Sequence, residues 1–300
     1  MGNSCRLCGA LNISECFEIG RSPKNIQRLL KSEELVQDSP ICLTIYQCHE
    51  CGFVQIPPQL EEDYYDDYLM TASHSIQMQE YQSIQARDFI KRYSLSGKKI
   101  WEVGCGDGSY LGHLKNNGAI VYGIEPSTKF REVAIKNGFD VAGGYVDKGC
   151  IINGGLFDAF VSREVLEHIP DIHGFLQGIR VNIKVGGVGL IQVPSLEKAI
   201  KDHRFYDFFP DHVNYFTLST LRLALEINGF EVIDSFHGMN GEYNIVLVRN
   251  SLDLSLKEMQ NTVATLGLEV AHFIAENKKN GKKVAIWGGW RQGCKSYGFD

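Results

Sequence analysis

From Ile76 to Tyr93 the apolar positions Ile76, Tyr81, Ile84, Phe89 and Ile90 recur at nearly helical spacing, predicting an amphipathic helix whose connection onward ends at Gly97. Beyond it the period changes. Short apolar runs at 100–103, 120–124, 158–162, 188–193, 230–235 and 243–248 read as strands, and amphipathic stretches through Leu114 and at 130–136, 172–183 and 218–228 read as helices. Alternating strands and helices predict a parallel sheet, with the last two strands close enough to pair as an antiparallel hairpin. Residues 251–280 read as one more helix, with Leu252, Leu256, Met259, Val263 and Leu266 on a stripe, and 282–287 as a further strand. The first third is different: two Cys pairs flank a Lys/Glu-rich middle, and an acidic aromatic stretch follows from Glu61 to Tyr68.

Composition removes whole classes. With 300 residues, 44% hydrophobic and 22% charged, the chain is ordinary globular material able to bury a core, which excludes collagen-like and disordered chains. A formal charge of −6 supplies no global positive field for nucleic acid. The longest apolar candidate for a membrane span, 185–193, is short and broken by glycines, so no membrane partner is expected. Residues 1–6 lack the apolar core of a signal peptide, and Arg6 stands where a myristoylation signal needs Ser or Thr, so the expected location is the cytoplasm. Nine cysteines, an odd number, suit metal-bound thiolates in a reducing compartment better than a disulfide framework.

Cys5-x-x-Cys8 precedes Gly9, and Cys48-x-x-Cys51 precedes Gly52. Two such turns aim four thiolates at one point, the closed tetrahedral shell of a structural Zn2+, with redox or buried thiols as the other reading and His49 as a possible substitute ligand. Cys16, Cys42, Cys105 and Cys150 lack partners of this kind and read as packing residues. A second motif, Glu102-Val103-Gly104-Cys105-Gly106-Asp107-Gly108, falls at a strand-to-helix turn, where a doubly wound sheet binds its ligand. Gly108 follows Gly106 by two residues instead of three, which leans away from a dinucleotide fingerprint. Glu125 ends the next strand, where a carboxylate can accept both hydroxyls of a ribose.

With these residues the stretch from Ile100 to Val248 resembles the class I S-adenosylmethionine-dependent methyltransferases, whose first motif is E/D-x-G-x-G-x-G and whose second strand ends in an acid. The implied fold is a doubly wound, Rossmann-like class I methyltransferase α/β sheet with a small amino-terminal zinc-binding module, and the implied cofactor is S-adenosyl-L-methionine. By that resemblance Gly104, Cys105, Gly106 and Gly108 line its methionine portion, Glu102 supports its ammonium and Glu125 holds its ribose. Asp158 and the run Ser162-Arg163-Glu164-Val165-Leu166-Glu167-His168-Ile169-Pro170-Asp171 look like the later motif of the same family.

The knuckles, the tyrosine-rich loop that ends in Tyr68-Leu69-Met70-Thr71-Ala72-Ser73-His74-Ser75 and Asp211-His212-Val213-Asn214-Tyr215-Phe216 together resemble the sugar C-methyltransferases, which methylate C3 of nucleotide-linked 4-keto-6-deoxy sugars. A carbon beside a ketone becomes nucleophilic only on losing a proton, so such a site needs a base near carbon and donors near the oxygen. The resemblance assigns this work to His212, oriented by Asp211, with His168 and Tyr68 or Tyr65 as further candidates. Met70 and Phe209 depart from the family, each standing where it often has tyrosine. The expected organisation is a zinc module at 1–60, substrate loop and linker helix at 61–97, the cofactor-binding domain at 98–250, and from 251 a helix opening a further Rossmann-like domain.

In the family that last domain carries a turn like W/Y-G-A-x-x-K-G. Here the matching strand from Lys283 to Gly288 runs into Gly289-Trp290-Arg291. Back-translation with one base removed near Gly289 restores W-G-A-G-G-K-G, so the expectation is a truncated or frameshifted product. The alternatives to a sugar C-methyltransferase are a small-molecule O- or N-methyltransferase and an inactive cofactor-binding remnant. No pattern sets the oligomeric state.

Overall fold

The computed structural model describes residues 4–26, 30–33, 35, 38–59, 75–251, 266 and 269–283. Tyr64, Tyr65, Tyr68 and Met70, and all but the first two residues of the strand expected at 282–287, lie outside them. Met1–Ser251 form one compact unit and Leu252–Asp300 a second, in which residues 269–279 are helical. No helix among the described residues is long and apolar enough to cross a membrane.

Along the first unit come β1 (Ile13–Pro23), β2 (Pro40–Cys48), β3 (Val54–Gln55), α1 (Ile76–Tyr93), β4 (Lys99–Val103), α2 (Ser109–Asn116), β5 (Ile120–Glu125), α3 (Thr128–Lys136) and β6 (Val141–Gly143). There follow β7 (Phe157–Arg163), α4 (Ile172–Asn182), β8 (Ile183–Pro194), α5 (Leu196–Lys201), β9 (Asn214–Tyr215), α6 (Leu218–Ile227), β10 (Phe230–Gly238) and β11 (Tyr243–Asn250). The larger sheet has the order β10-β11-β8-β7-β4-β5-β6. The β8 to β6 portion is parallel throughout, and β11 runs antiparallel to both its neighbours, β8 and β10. Strand order reverses between β4 and β7, so the crevice beyond their carboxyl ends is where such a sheet takes a ligand.

Strand alternation divides the core in two. On one face Ile100, Ala159, Val161, Leu190 and Leu247 pack against Ala86, Phe89 and Ile90 of α1 and Tyr110 and Leu114 of α2. On the other, Trp101, Val103, Phe160, Ile191 and Val246 pack against α4 and α6, in one cluster with Cys5, Leu7, Cys48 and Phe53 from the cysteine knuckles.

Helix α1 has the expected bounds but a rotated face. Ser75 caps its start by accepting from Met78 N–H, and Ser94 in the left-handed region (φ 54°) closes its end. Its buried residues are Met78, Gln82, Ala86, Phe89 and Ile90, whereas Ile76 and Ile84 are exposed. The small Ala86 and the amide of Gln82 carry little hydrophobic weight in a periodicity reading, yet they occupy the stripe that faces the sheet.

The second sheet, β1-β2-β3-β9, is antiparallel and its strands were not expected. Nearly all of β1 is exposed or half-buried, so no two-residue alternation announces it. Its last strand comes from the central domain: Val54 pairs with Tyr215 and Gln55 with Asn214.

Candidate active site

Beyond β4 the chain turns sharply through Gly104 (φ 73°), Gly106 (φ 52°) and Gly108 (φ 83°). A Cβ at Gly104 would lie 2.4 Å from Val165 Cγ2, and one at Gly108 would lie 2.7 Å from the Phe139 ring, so both backbones are enclosed by protein. At Gly106 nothing lies within 4 Å, which leaves open space over the middle of the turn. The Cys105 side chain is buried with Leu111, Ala134 and Val141, so only its backbone belongs to the turn. Cys16 and Cys42, read as packing residues, are exposed instead, because they lie on strands with little covering them.

Glu102 is buried and its Oε2 has no hydrogen-bond partner. Burial pushes its carboxyl up to about 8, against an opposing pull from Arg163. Arg163, at the end of β7, is also buried; its Nε and Nη2 make no hydrogen bond, Nη2 lies 3.5 Å from Glu164 Oε1, and the guanidinium is 4.3 Å from the Tyr110 ring centroid. Glu125 Oε2 accepts from Gly106 N–H at 2.8 Å and Oε1 from Ser127 N–H at 2.8 Å. Burial raises its pKa despite those two bonds. Asp158 lies at the opposite end of the strand from Arg163, where it accepts from Lys99 N–H at 3.0 Å and Lys184 Nζ at 2.7 Å. It tethers strand ends and is remote from the turn.

The histidines meet across the sequence. His168 ends a one-turn helix, Leu166–His168, and its ring lies 4.6 Å from that of His212, edge to face at 83°. His168 Nδ1 donates to Asp211 O at 3.1 Å and lies 3.5 Å from Asp211 Oδ2, which leaves Nε2 as the lone-pair nitrogen. Asp211 is thus set against His168 and not against its sequence neighbour. Burial lowers His168 to about 4, burial and then His168 lower His212 far below the usual range, and burial lifts Asp211 to about 7. Two imidazoles this close are not both in the charged imidazolium form near neutrality.

Glu167 completes the cluster, with donor atoms of Glu167, His168 and His212 within 4.8 Å of one another. Both its carboxylate oxygens are buried and lack hydrogen-bond partners, and burial raises its pKa strongly. Glu167 and Arg163 belong to the run that resembles the later family motif, but their types alone assign neither a role; the signal available in sequence is their position immediately before His168 and Glu164. Phe209 packs edge-on to His212 at 5.0 Å, and Tyr215 OH is engaged with the Phe209 backbone, accepting from its N–H at 2.8 Å.

Cys5, Cys8, Cys48 and Cys51 converge within 4.8 Å, with Sγ pairs Cys5–Cys51 and Cys8–Cys48 each 3.6 Å apart. Bonds of about 2.3 Å in a tetrahedron would put sulfurs roughly 3.8 Å apart, so the donor set could hold zinc. The knuckles repeat one geometry: Gly9 N–H donates to Cys5 O and Gly52 N–H to Cys48 O, both at 2.9 Å, with both glycines at φ 75°. His49 bonds Ser14 Oγ at 2.7 Å and stays outside the cluster.

Residues 78–235 match the family described as Methyltransferase domain, and the chain belongs to that family. C-methyltransferase NovU of Streptomyces niveus is 24% identical over 77% of this chain and 57% of its own length. The ubiquinone biosynthesis O-methyltransferase of Chromobacterium violaceum is 34% identical over 33% of this chain and 46% of its own. The chain thus spans about half the length of these curated relatives. Among solved structures, the PH0226 protein of Pyrococcus horikoshii superposes with a TM-score of 0.52 at 13% identity, covering 64% of this chain and all of that one, a likeness of fold. The Rossmann-like class I sheet expected from sequence is therefore present, and it carries a methyltransferase domain.

Proposed function

We propose that the enzyme methylates carbon C3 of a nucleotide-linked 4-keto-6-deoxy sugar through an enolate. The observation that carries this reading is the His168–Asp211 contact with His212 edge-on beside it, an arrangement suited to moving a proton at carbon. The match to a C-methyltransferase over 77% of this chain supports it.

The residues fit the cofactor. Glu102 Oε2 and Arg163 Nε are enclosed and lack hydrogen-bond partners, suited to an amino-acid ammonium, which would favour the ionised form of Glu102, and to its carboxylate. Open space at Gly106 admits the ligand against backbone, and each Glu125 oxygen retains a lone pair for a ribose hydroxyl. The sulfonium of the cofactor supplies an electrophilic methyl group.

His168 Nε2 takes the C3 proton while Asp211 holds the ring by Nδ1. The C–H electron pair forms the enolate, whose charge collects on the C4 oxygen. His212 stands beside it, a neutral ring whose own N–H donates to that oxygen, while the C3 proton stays on His168 Nε2 until that ring releases it to solvent. Held by Glu102, Arg163, the Gly106 backbone and Glu125, the cofactor would supply the methyl group to C3 and keep the carbon–sulfur electron pair. The four thiolates would hold a structural zinc ion in a closed shell with no position for substrate.

The test is incubation of a nucleotide-linked 4-keto-6-deoxy sugar in heavy water, followed by cofactor addition and mass analysis. Enzyme-dependent deuterium at C3 and one added methyl on carbon are expected. Methyl on oxygen or nitrogen without exchange at C3 would point to a heteroatom methyltransferase, and cofactor binding without exchange or transfer to an inactive remnant.

A further inference from the structure

Arg6 lies inside the first cysteine knuckle, between Cys5 and Cys8, yet its side chain reaches into the central domain. Its backbone N–H donates to Gln55 Oε1 at 2.9 Å, and its Nε donates to Asn214 Oδ1 at 3.2 Å. Its Nη2 donates to Ile56 O at 2.7 Å and also to Val213 O. One guanidinium therefore grips both residues that follow His212.

Asn214 carries the connection onward. It is 1% exposed, and its Nδ2 donates to Leu166 O at 2.9 Å and Ile169 O at 2.7 Å, on either side of Glu167 and His168. Arg6 and Asn214 thus join the first knuckle to the backbone of both histidines, and the donors and acceptors of this relay are used on one another. A second bond between knuckle and domain leads elsewhere: His173 Nε2 donates to Leu7 O at 3.1 Å, while its Nδ1 faces Asn228 at the end of α6.

We infer that Arg6 is a positioning residue that ties the metal-ready knuckle to the His168–His212 pair, so that the state of the four thiolates sets the geometry of the imidazoles. Its consequence for turnover rests on the proposed role of that pair in proton transfer; the coupling itself does not. A knuckle that loosens releases Val213 and Asn214, and the one-turn helix bearing His168 loses the amide that fixes it. Because misplacement by about 1 Å can cost roughly a hundredfold in rate, the thiolate cluster influences catalysis without touching substrate.

The experiment compares full-length Arg6→Gln, Arg6→Lys and His173→Gln with the parent. It reads zinc per chain, S-adenosylhomocysteine affinity by calorimetry and the histidine ring 15N resonances. Arg6→Gln is expected to keep its zinc and its affinity within about twofold, yet move the His168 and His212 resonances, while turnover of an accepted substrate falls roughly a hundredfold with little change in KM. Arg6→Lys should recover part of this change, and His173→Gln should leave both rings in place. The inference is overturned if Arg6→Gln leaves those resonances unchanged, if it strips the zinc, or if His173→Gln moves them as far. Should Arg6→Gln fail to fold, Arg6→Lys is read by the same resonances. If no keto sugar exchanges its C3 proton even with the parent protein, the functional reading fails while the resonances still decide the role of Arg6.

Discussion

The proposed cofactor half of the site is made mostly by one continuous stretch, from β4 through the glycine turn to the end of β5, with Arg163 added from the end of β7, while the histidine half is assembled from the segment after β7, the loop before β9 and the first knuckle. In the first half the fixed geometry is mostly backbone: three positive-φ glycines and two amides held by Glu125. In the second it is mostly side chains, through Asp211, Asn214 and Arg6. A backbone cradle tolerates varied neighbours, whereas a relay of side chains fails when one member changes. The two halves should therefore respond separately to mutation.

The largest separation is expected from His168→Gln. Loss of its Nε2 as proton acceptor should lower C3 exchange and methyl transfer by about 10²–10⁴-fold, with S-adenosylhomocysteine affinity nearly unchanged by calorimetry. An equal fall in affinity would break the distinction between the halves. Glu125→Ala should do the converse at smaller size. Removing a carboxylate that accepts from two amides should weaken cofactor binding about ten- to a hundredfold, and proton exchange in the absence of cofactor should persist.

The smallest effect concerns pH. The Glu102 carboxyl ionises near 4.5 in the unfolded chain and is raised to about 8 by burial in the fold. Its contribution to stability is thus fully present below the unfolded value and is lost as pH rises through the folded one. In Glu102→Gln without cofactor, the decline of Tm between pH 4.5 and 8 should be shallower than in the parent. An unchanged slope would mean that Glu102 is already ionised in the fold.

Much of the cofactor half was legible because its information is local. The run from Ile100 to Glu125 places strand, glycine turn, helix and acid in order, and each has a period or a φ requirement that sequence expresses. The residues of the histidine half were also visible as types, but not their partners. Asp211 precedes His212 in sequence and yet meets His168, because the one-turn helix brings His168 Nδ1 against both its carbonyl and its carboxylate. Strands β3 and β9 have two residues each, too few for any period, and exist by pairing with distant chain. On α1 the sequence marked Ile76 and Ile84, while packing selected Gln82 and Ala86.

The pairing of Val54 with Tyr215 also constrains the order of events during synthesis. The cysteine knuckles leave the ribosome early, but their sheet cannot gain its final strand until residue 215 has emerged and the larger sheet has begun to form. Until then Phe53 and Leu7, fully buried in the finished protein, have no central domain to cover them. The nascent amino-terminal segment therefore exposes apolar surface until the central domain arrives, and metal captured early would hold its two turns together while it waits.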